Sequence, residues 1–171
     1  MSRLVIVLPL TPLEVGESFA VADWPLHITV LPPFLTSAEP ADVAAAIEEA
    51  AAGEIALAAR VGPDALFGRH HNIPVSLVDD SPSLTALHRR LRESMRRFAA
   101  APEEPAFTGA RFRAHVTVKN QGRVHEGEWL TLAQIAVVDM APRAAASGRT
   151  VLATLDLPEA AQFPVQPFNP A

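Results

Sequence analysis

The sequence predicts an α+β fold: a two-lobed, duplicated unit of antiparallel strands with one main helix per lobe, and two His-x-Thr strands facing a central cleft. Three observations carry this. Short β-branched, apolar segments outnumber helical ones along the 171 residues. One helical segment falls in each half of the chain. Each half also holds a strand-like segment with histidine and threonine two positions apart, "HITV" from His27 and "HVTV" from His115.

In chain order, Arg3 to Leu8 and Leu26 to Leu31 read as strands from their β-branched, apolar content. "TSAEPADVAAAIEEAAAGE" supplies a cap at Ser37, a first-turn proline, strong helix formers and a stop at Gly53, which predicts the first helix. "EIALAARVG" and "NIPVSLVDD" return to strand composition on either side of a loop around Gly68 to Asn72. Ser81 and Pro82 open a second helix, along which Leu84, Leu87, Leu91, Met95 and Phe98 recur at helical spacing. "AAPEEPAFTG" reads as a loop and "RFRAHVTVK" as a strand. "WLTLAQIAVVDM" and "RTVLATLDL" are two more strands, separated by a flexible "APRAAASG".

With 49% hydrophobic residues, a chain of this length makes one well-buried domain, expected over residues 1–157. Residues 158–171 form an expected Pro-rich, irregular tail. The absence of cysteine rules out disulfides, thiolate chemistry and Cys-based zinc sites. "MSRLVIVLPL" is neither a secretory leader nor a span of about 20 apolar residues, so a cytoplasmic, soluble monomer is expected. A net charge of -5 argues against a broad electrostatic grip on nucleic acid, although a local basic cluster suffices for one phosphate or a short end.

The two motifs carry the chemistry. Residues i and i+2 of a strand share a face, so His27 sits beside Thr29 and His115 beside Thr117, while Ile28, Val30, Val116 and Val118 point into apolar packing. An unperturbed imidazole titrates near about 6.5, so one histidine can act as a base while another acts as an acid. Flanking a phosphorus atom, one takes a proton from an attacking oxygen and the other gives one to the departing oxygen, with the threonine hydroxyls donating to the non-bridging oxygens. A lone His-x-Thr is ordinarily a partly buried histidine bonded to backbone. Two in matching contexts, using two of the six histidines, make the catalytic reading the better one.

On these motifs the chain resembles the two-histidine phosphoesterase superfamily, in particular its branch of 2'-5' RNA ligases and RNA 2',3'-cyclic phosphodiesterases. That group carries two His-x-Thr/Ser-x motifs with apolar x. The stretch "ALFGRHHNIPVSLVDDSPSLTALHRRL" is similar to the family's Phe-Gly turn, apolar strand and amphipathic helix, and the likeness runs to about Leu157. The resemblance implies a bilobal α+β fold with both motifs in a groove, acid–base catalysis without metal or cofactor, and a cyclic-phosphate or 2'-5'-linked nucleotide or RNA end as partner. By analogy His27 is the proton donor and His115 the acceptor. Where relatives often carry an arginine after the second motif, this chain has Lys119, which continues the i, i+2 alternation as a phosphate clamp without the bidentate fork of arginine.

Other polar and aromatic residues rank below these. Arg111 and Arg113 alternate onto the face of His115 and are expected to bind substrate, as are Trp24 and Phe34, which bracket the first motif and offer rings to a base. His70 and His71 are expected in an exposed loop bordering the substrate, His88 on a solvated helix face and His125 in a polar turn. The leading function is a phosphodiesterase that opens a 2',3'-cyclic or related 2'-linked phosphodiester. The alternatives are a hydrolase of cyclic oligonucleotide signals, a 2'-5' RNA ligase, and a nucleotide-binding module without turnover.

Overall fold

The structure is a computed structural model that describes residues 1–100, 108–140 and 147–161. In chain order the elements are β1 (Ser2–Pro9), β2 (Ser18–Ala20), β3 (His27–Thr36), α1 (Pro40–Ala50), β4 (Leu57–Phe67), β5 (Ile73–Val78), α2 (Pro82–Met95), β6 (His115–Thr117), β7 (Trp129–Leu132), β8 (Gln134–Asp139) and β9 (Ser147–Asp156). Among the described residues the strands form one curled antiparallel sheet, ordered β2-β9-β8-β1-β3-β6-β5-β4-β7. The architecture is the expected α+β one. Its lobes, however, are interleaved in sequence: β8 and β9 return to pair beside β1, while β4 to β7 build the other side.

Alternation along β1 sorts residues between two faces of the sheet. Leu4, Ile6 and Leu8 enter the larger core, with Ile28, Val30, Val116 and the buried faces of both helices. Val5 and Val7 enter a smaller cluster on the other face with Leu13, Phe19, Trp24, Ala136, Val138 and Val151. The chain before β3 lies over this second face. Gln134 pins it there, accepting from Leu13 N and donating to Leu13 O.

Both helices cover the larger core. Val43, Ala46 and Ile47 are the buried stripe of α1; Leu84, Leu87, Leu91 and Met95 are that of α2. The two pack together, with Ser94 Oγ donating to Ala46 O and Arg90 paired with Glu54. Ser81 caps α2 as expected, accepting from Leu84 N at 3.4 Å. The cap of α1 is Glu39 rather than Ser37, without a side-chain bond, because the proline at the first helical position sets where the helix begins. Phe98 lies past the end of α2 but still packs against the core.

Five strand expectations change, the first being β3, which runs on past Leu31 to Thr36. β4 continues past Gly62 to Phe67 through a register shift between Val61 and Asp64, and a side chain at Gly62 would meet Asp79 Oδ1 at 2.6 Å. The segment expected as one strand from Trp129 breaks at Ala133. β7 alternates exposed and buried residues at the sheet edge, whereas β8 is a buried run beside β1. The short edge strand β2 was not expected from sequence. β6 is shorter than "RFRAHVTVK": Arg111 closes a 3-10 turn, and beyond Thr117 the chain turns into the hairpin in which Lys119 bridges to Gly122. Most of the two expected loops, residues 101–107 and 141–146, and residues 162–171 of the expected tail lie outside the described residues.

Candidate active site

The two motif strands are neighbours at the middle of the sheet. Ile28 pairs with Val116 in the antiparallel sense, on the helix-covered face. On the opposite face that register sets His27 beside Thr117 and Thr29 beside His115. Each imidazole therefore adjoins the other strand's hydroxyl, and the two histidines sit on a diagonal related by a local pseudo-twofold. β1 and β5 flank this patch, with Val7 opposite Thr29 and Val75 opposite Thr117.

The histidines are held in the same way. His27 Nδ1 lies 2.8 Å from Pro25 O, and His115 Nδ1 lies 2.9 Å from Arg113 O. A carbonyl only accepts, so in each ring Nδ1 carries hydrogen and the neutral form keeps its lone pair on Nε2. One tether repeated at i and i−2 in both motifs leaves both Nε2 atoms to do chemistry.

Their surroundings differ. His27 is 9% exposed, and its ring centroid lies 4.1 Å from that of Trp24. Burial pushes its pKa down to about 4; the Pro25 carbonyl opposes this, while Lys119 and His115 add to it. His115 is less buried and meets Phe67 edge-on at 4.6 Å. Its pKa is also lowered, first by burial and then by the charge of Arg113, against the pull of the Arg113 carbonyl. The Arg113 guanidinium lies 5.8 Å from the Phe67 centroid.

Lys119 lies beyond β6, in a tight hairpin bridged to Gly122. It nevertheless comes close enough to affect His27, with Nζ donating to Val21 O at 3.3 Å and lying 6.0 Å from the Trp24 centroid. Its ammonium is pushed below the usual lysine range by burial and by Arg149. Gln121 Nε2 ties the hairpin to Asp23 O, and Arg123 anchors its base on Asp64.

The structure thus brings together His27, Thr29, His115, Thr117 and Lys119, with Arg113 next to Phe67. The other three expected substrate contacts are placed as follows. Trp24, 6% exposed, packs against His27 and the smaller core. Phe34 pairs opposite Leu4 and packs against the larger core, on the face away from His27. Arg111 sits in the 3-10 turn, where strand alternation no longer assigns it a face. Two neighbours of the site were not singled out from sequence. Phe67 had a signal in the Phe-Gly turn; Arg149, at the start of β9, had none, because only tertiary folding brings β9 near Trp24.

His88 is another correction. Instead of a solvated position it is 1% exposed, stacked on Phe112 at 4.0 Å. Its Nδ1 donates to Val30 O and its Nε2 accepts from Gly109 N. It thereby clamps α2 to Val30, the last residue of the first motif, and to the turn leading towards the second. His70 and His71 are exposed in the turn after Phe67, and His125 is exposed beside Glu128, as expected. Among the described residues no three His, Asp or Glu side chains gather as metal ligands, and no helix is long and apolar enough to cross a membrane.

A curled sheet carrying paired His-x-Thr strands at its centre defines a two-histidine phosphoesterase architecture, and solved structures agree. LigT of E. coli, solved with 3'-AMP, has a TM-score of 0.60 at 14% identity, over 92% of this chain and 99% of that one. TT0787 of Thermus thermophilus has a TM-score of 0.61 at 16% identity, over 92% and 98%. The chain belongs to the 2'-5' RNA ligase superfamily, whose model matches residues 9–134, a span containing both motifs. Membership supports a phosphoesterase or RNA-ligase-like activity. No curated protein matches the sequence significantly.

Proposed function

We propose that this protein is a metal-independent phosphodiesterase that opens a 2',3'-cyclic phosphate, or a related 2'-linked phosphodiester, at an RNA end or in a small nucleotide. The observation that carries the reading is the antiparallel pairing of Ile28 with Val116, combined with identical Nδ1 tethers on both histidines. A groove that only sensed nucleotides has no need of two imidazoles, each with Nε2 held ready. The neighbouring fold of LigT, solved with 3'-AMP and with NADP+, supports a nucleotide as ligand.

In the proposed reaction the phosphorus lies between the histidines. One Nε2 takes a proton from water as its oxygen bonds to phosphorus. The P–O2' bond breaks in line, and the other imidazolium gives its proton to the departing 2' oxygen. Thr29 and Thr117 donate to the non-bridging oxygens, where charge builds in the transition state. The family analogy makes His27 the donor. Without an anion beside it His27 is neutral at pH 7, so this order requires proton uptake as the phosphate enters and raises its pKa. The test is a panel of 2',3'-cyclic mononucleotides, 2'-5' dinucleotides, cyclic dinucleotides and cyclic-phosphate-ended RNA, read by product mass. Hydrolysis of the 2',3'-cyclic substrates is expected. Turnover confined to cyclic dinucleotides, or joining of RNA ends alone, overturns the substrate assignment.

A further inference from the structure

We propose that a second anion-binding subsite lies beside the reaction subsite, formed by Lys119 and Arg149 against Trp24, and that the preferred substrate is a nucleotide bearing a second phosphate group. The inference rests on the phosphodiesterase reading and adds to it a substrate feature and a direction along the groove.

Three observations converge on one indole. The Arg149 guanidinium lies 5.7 Å from the Trp24 centroid, Lys119 Nζ lies 6.0 Å from it, and the His27 ring lies 4.1 Å from it on centroids. Neither cation is therefore farther than about 10 Å from the imidazole. Among the described residues neither joins an ion pair. Lys119 donates to Val21 O and Arg149 Nη1 to Met140 O, both main-chain carbonyls, and Arg149 feels the charges of both Arg3 and Asp139. Two like charges brought together in a partly desolvated place repel unless an anion joins them.

The second observation concerns donors. Among the described residues, Arg149 Nε and Trp24 Nε1 are buried side-chain nitrogens without a hydrogen-bond partner, and Trp24 is 6% exposed. Natural folds rarely leave such donors unmatched, and they collect where function needs them. Guanidinium and ammonium together suit a phosphate, the former through its planar fork and the latter as a point charge.

The third is asymmetry. At the other histidine, among the described residues, one cation, Arg113, lies over the neighbouring Phe67. With two cations on the His27 side of an otherwise acidic chain, the second phosphate belongs on that side. The group recognised is a phosphate monoester or diester one nucleotide unit away from the reacting phosphorus.

Calorimetric binding of adenosine 3'-monophosphate and adenosine 3',5'-bisphosphate tests this, alongside turnover of adenosine 2',3'-cyclic phosphate with and without a 5'-phosphate. Wild type is expected to favour the second phosphate by about tenfold or more in affinity, the gain of one charge-assisted contact. Arg149→Met should collapse that ratio to near unity with unchanged melting temperature, and Arg149→Lys should restore part of it. A wild-type ratio near unity, or a ratio indifferent to Arg149→Met, overturns the subsite. The two readings fail separately: turnover without a bisphosphate preference removes only the subsite, and an Arg149-dependent preference without turnover removes only the phosphodiesterase.

Discussion

The two motif strands carry nearly the same four residues, "HITV" and "HVTV", and share the same tether to the carbonyl two residues back. They finish in different surroundings. His27 is sealed beneath Trp24 with Lys119 and Arg149 above the ring; His115 stands in a more open place with Phe67 at its edge and Arg113 nearby. A repeated motif thus fixes the tautomer and facing of each imidazole, while its proton affinity is set by what packs around it.

The largest expected effect comes from removing either end. His27→Ala and His115→Ala should each lower turnover roughly 100- to 10,000-fold while the fold persists, the range for losing a general acid or base. The double variant should be little worse than either single, since the pair acts as a unit. A folded His115→Ala protein with full activity would end the acid–base reading.

Next come the hydroxyls. Thr29→Val and Thr117→Val should each cost about 100-fold in kcat, as expected for a donor aimed at the charge developing in the transition state. Losses confined to KM would instead make the threonines ground-state binders.

The aromatic supports sharpen the contrast further. Trp24→Ala deletes a buried ring and should destabilise the fold by about 3–5 kcal/mol, and by admitting water it should move the pKa of His27 up towards its ordinary value. Phe67→Ala, at the more open end, should cost less stability and shift His115 by less. NMR titration of both imidazoles in the two variants reads this directly, and equal shifts at the two ends would show that burial is not what separates them.

The pH dependence of stability has a definite sign. His27 titrates near 4 in the folded protein and near 6.5 when unfolded, so between these values the unfolded chain binds more protons. Stability is therefore full above about pH 6.5 and falls as pH drops towards about 4, with His115 adding in the same sense. The melting temperature of His27→Gln should fall less steeply across this window than that of wild type, and His115→Gln should show a smaller change. A wild-type slope unchanged by His27→Gln would contradict the buried neutral state. The smallest effect expected is from chelation: turnover should survive extensive EDTA treatment, and activity lost to EDTA and restored only by a divalent ion would transfer the chemistry to a metal.

Local pattern was sufficient for what depends on local geometry. Period-2 alternation put His27 with Thr29 and His115 with Thr117 on one face of each strand, and a serine, a proline and a leucine stripe defined α2. Phe34 marks the limit of that rule, since two register shifts separate it from the first motif and its pairing with Leu4 sets it in the larger core. What depends on contacts between distant segments was settled only by tertiary folding. The pairing of Ile28 with Val116, the packing of Trp24 into the smaller core, the ties of His88 to Val30 and Gly109, and the arrival of Arg149 from β9 all join segments far apart in the chain. The physical reason is that backbone stereochemistry determines which way a side chain points, whereas desolvation and charge, and with them the pKa of each histidine, come from whichever residues the completed sheet brings alongside.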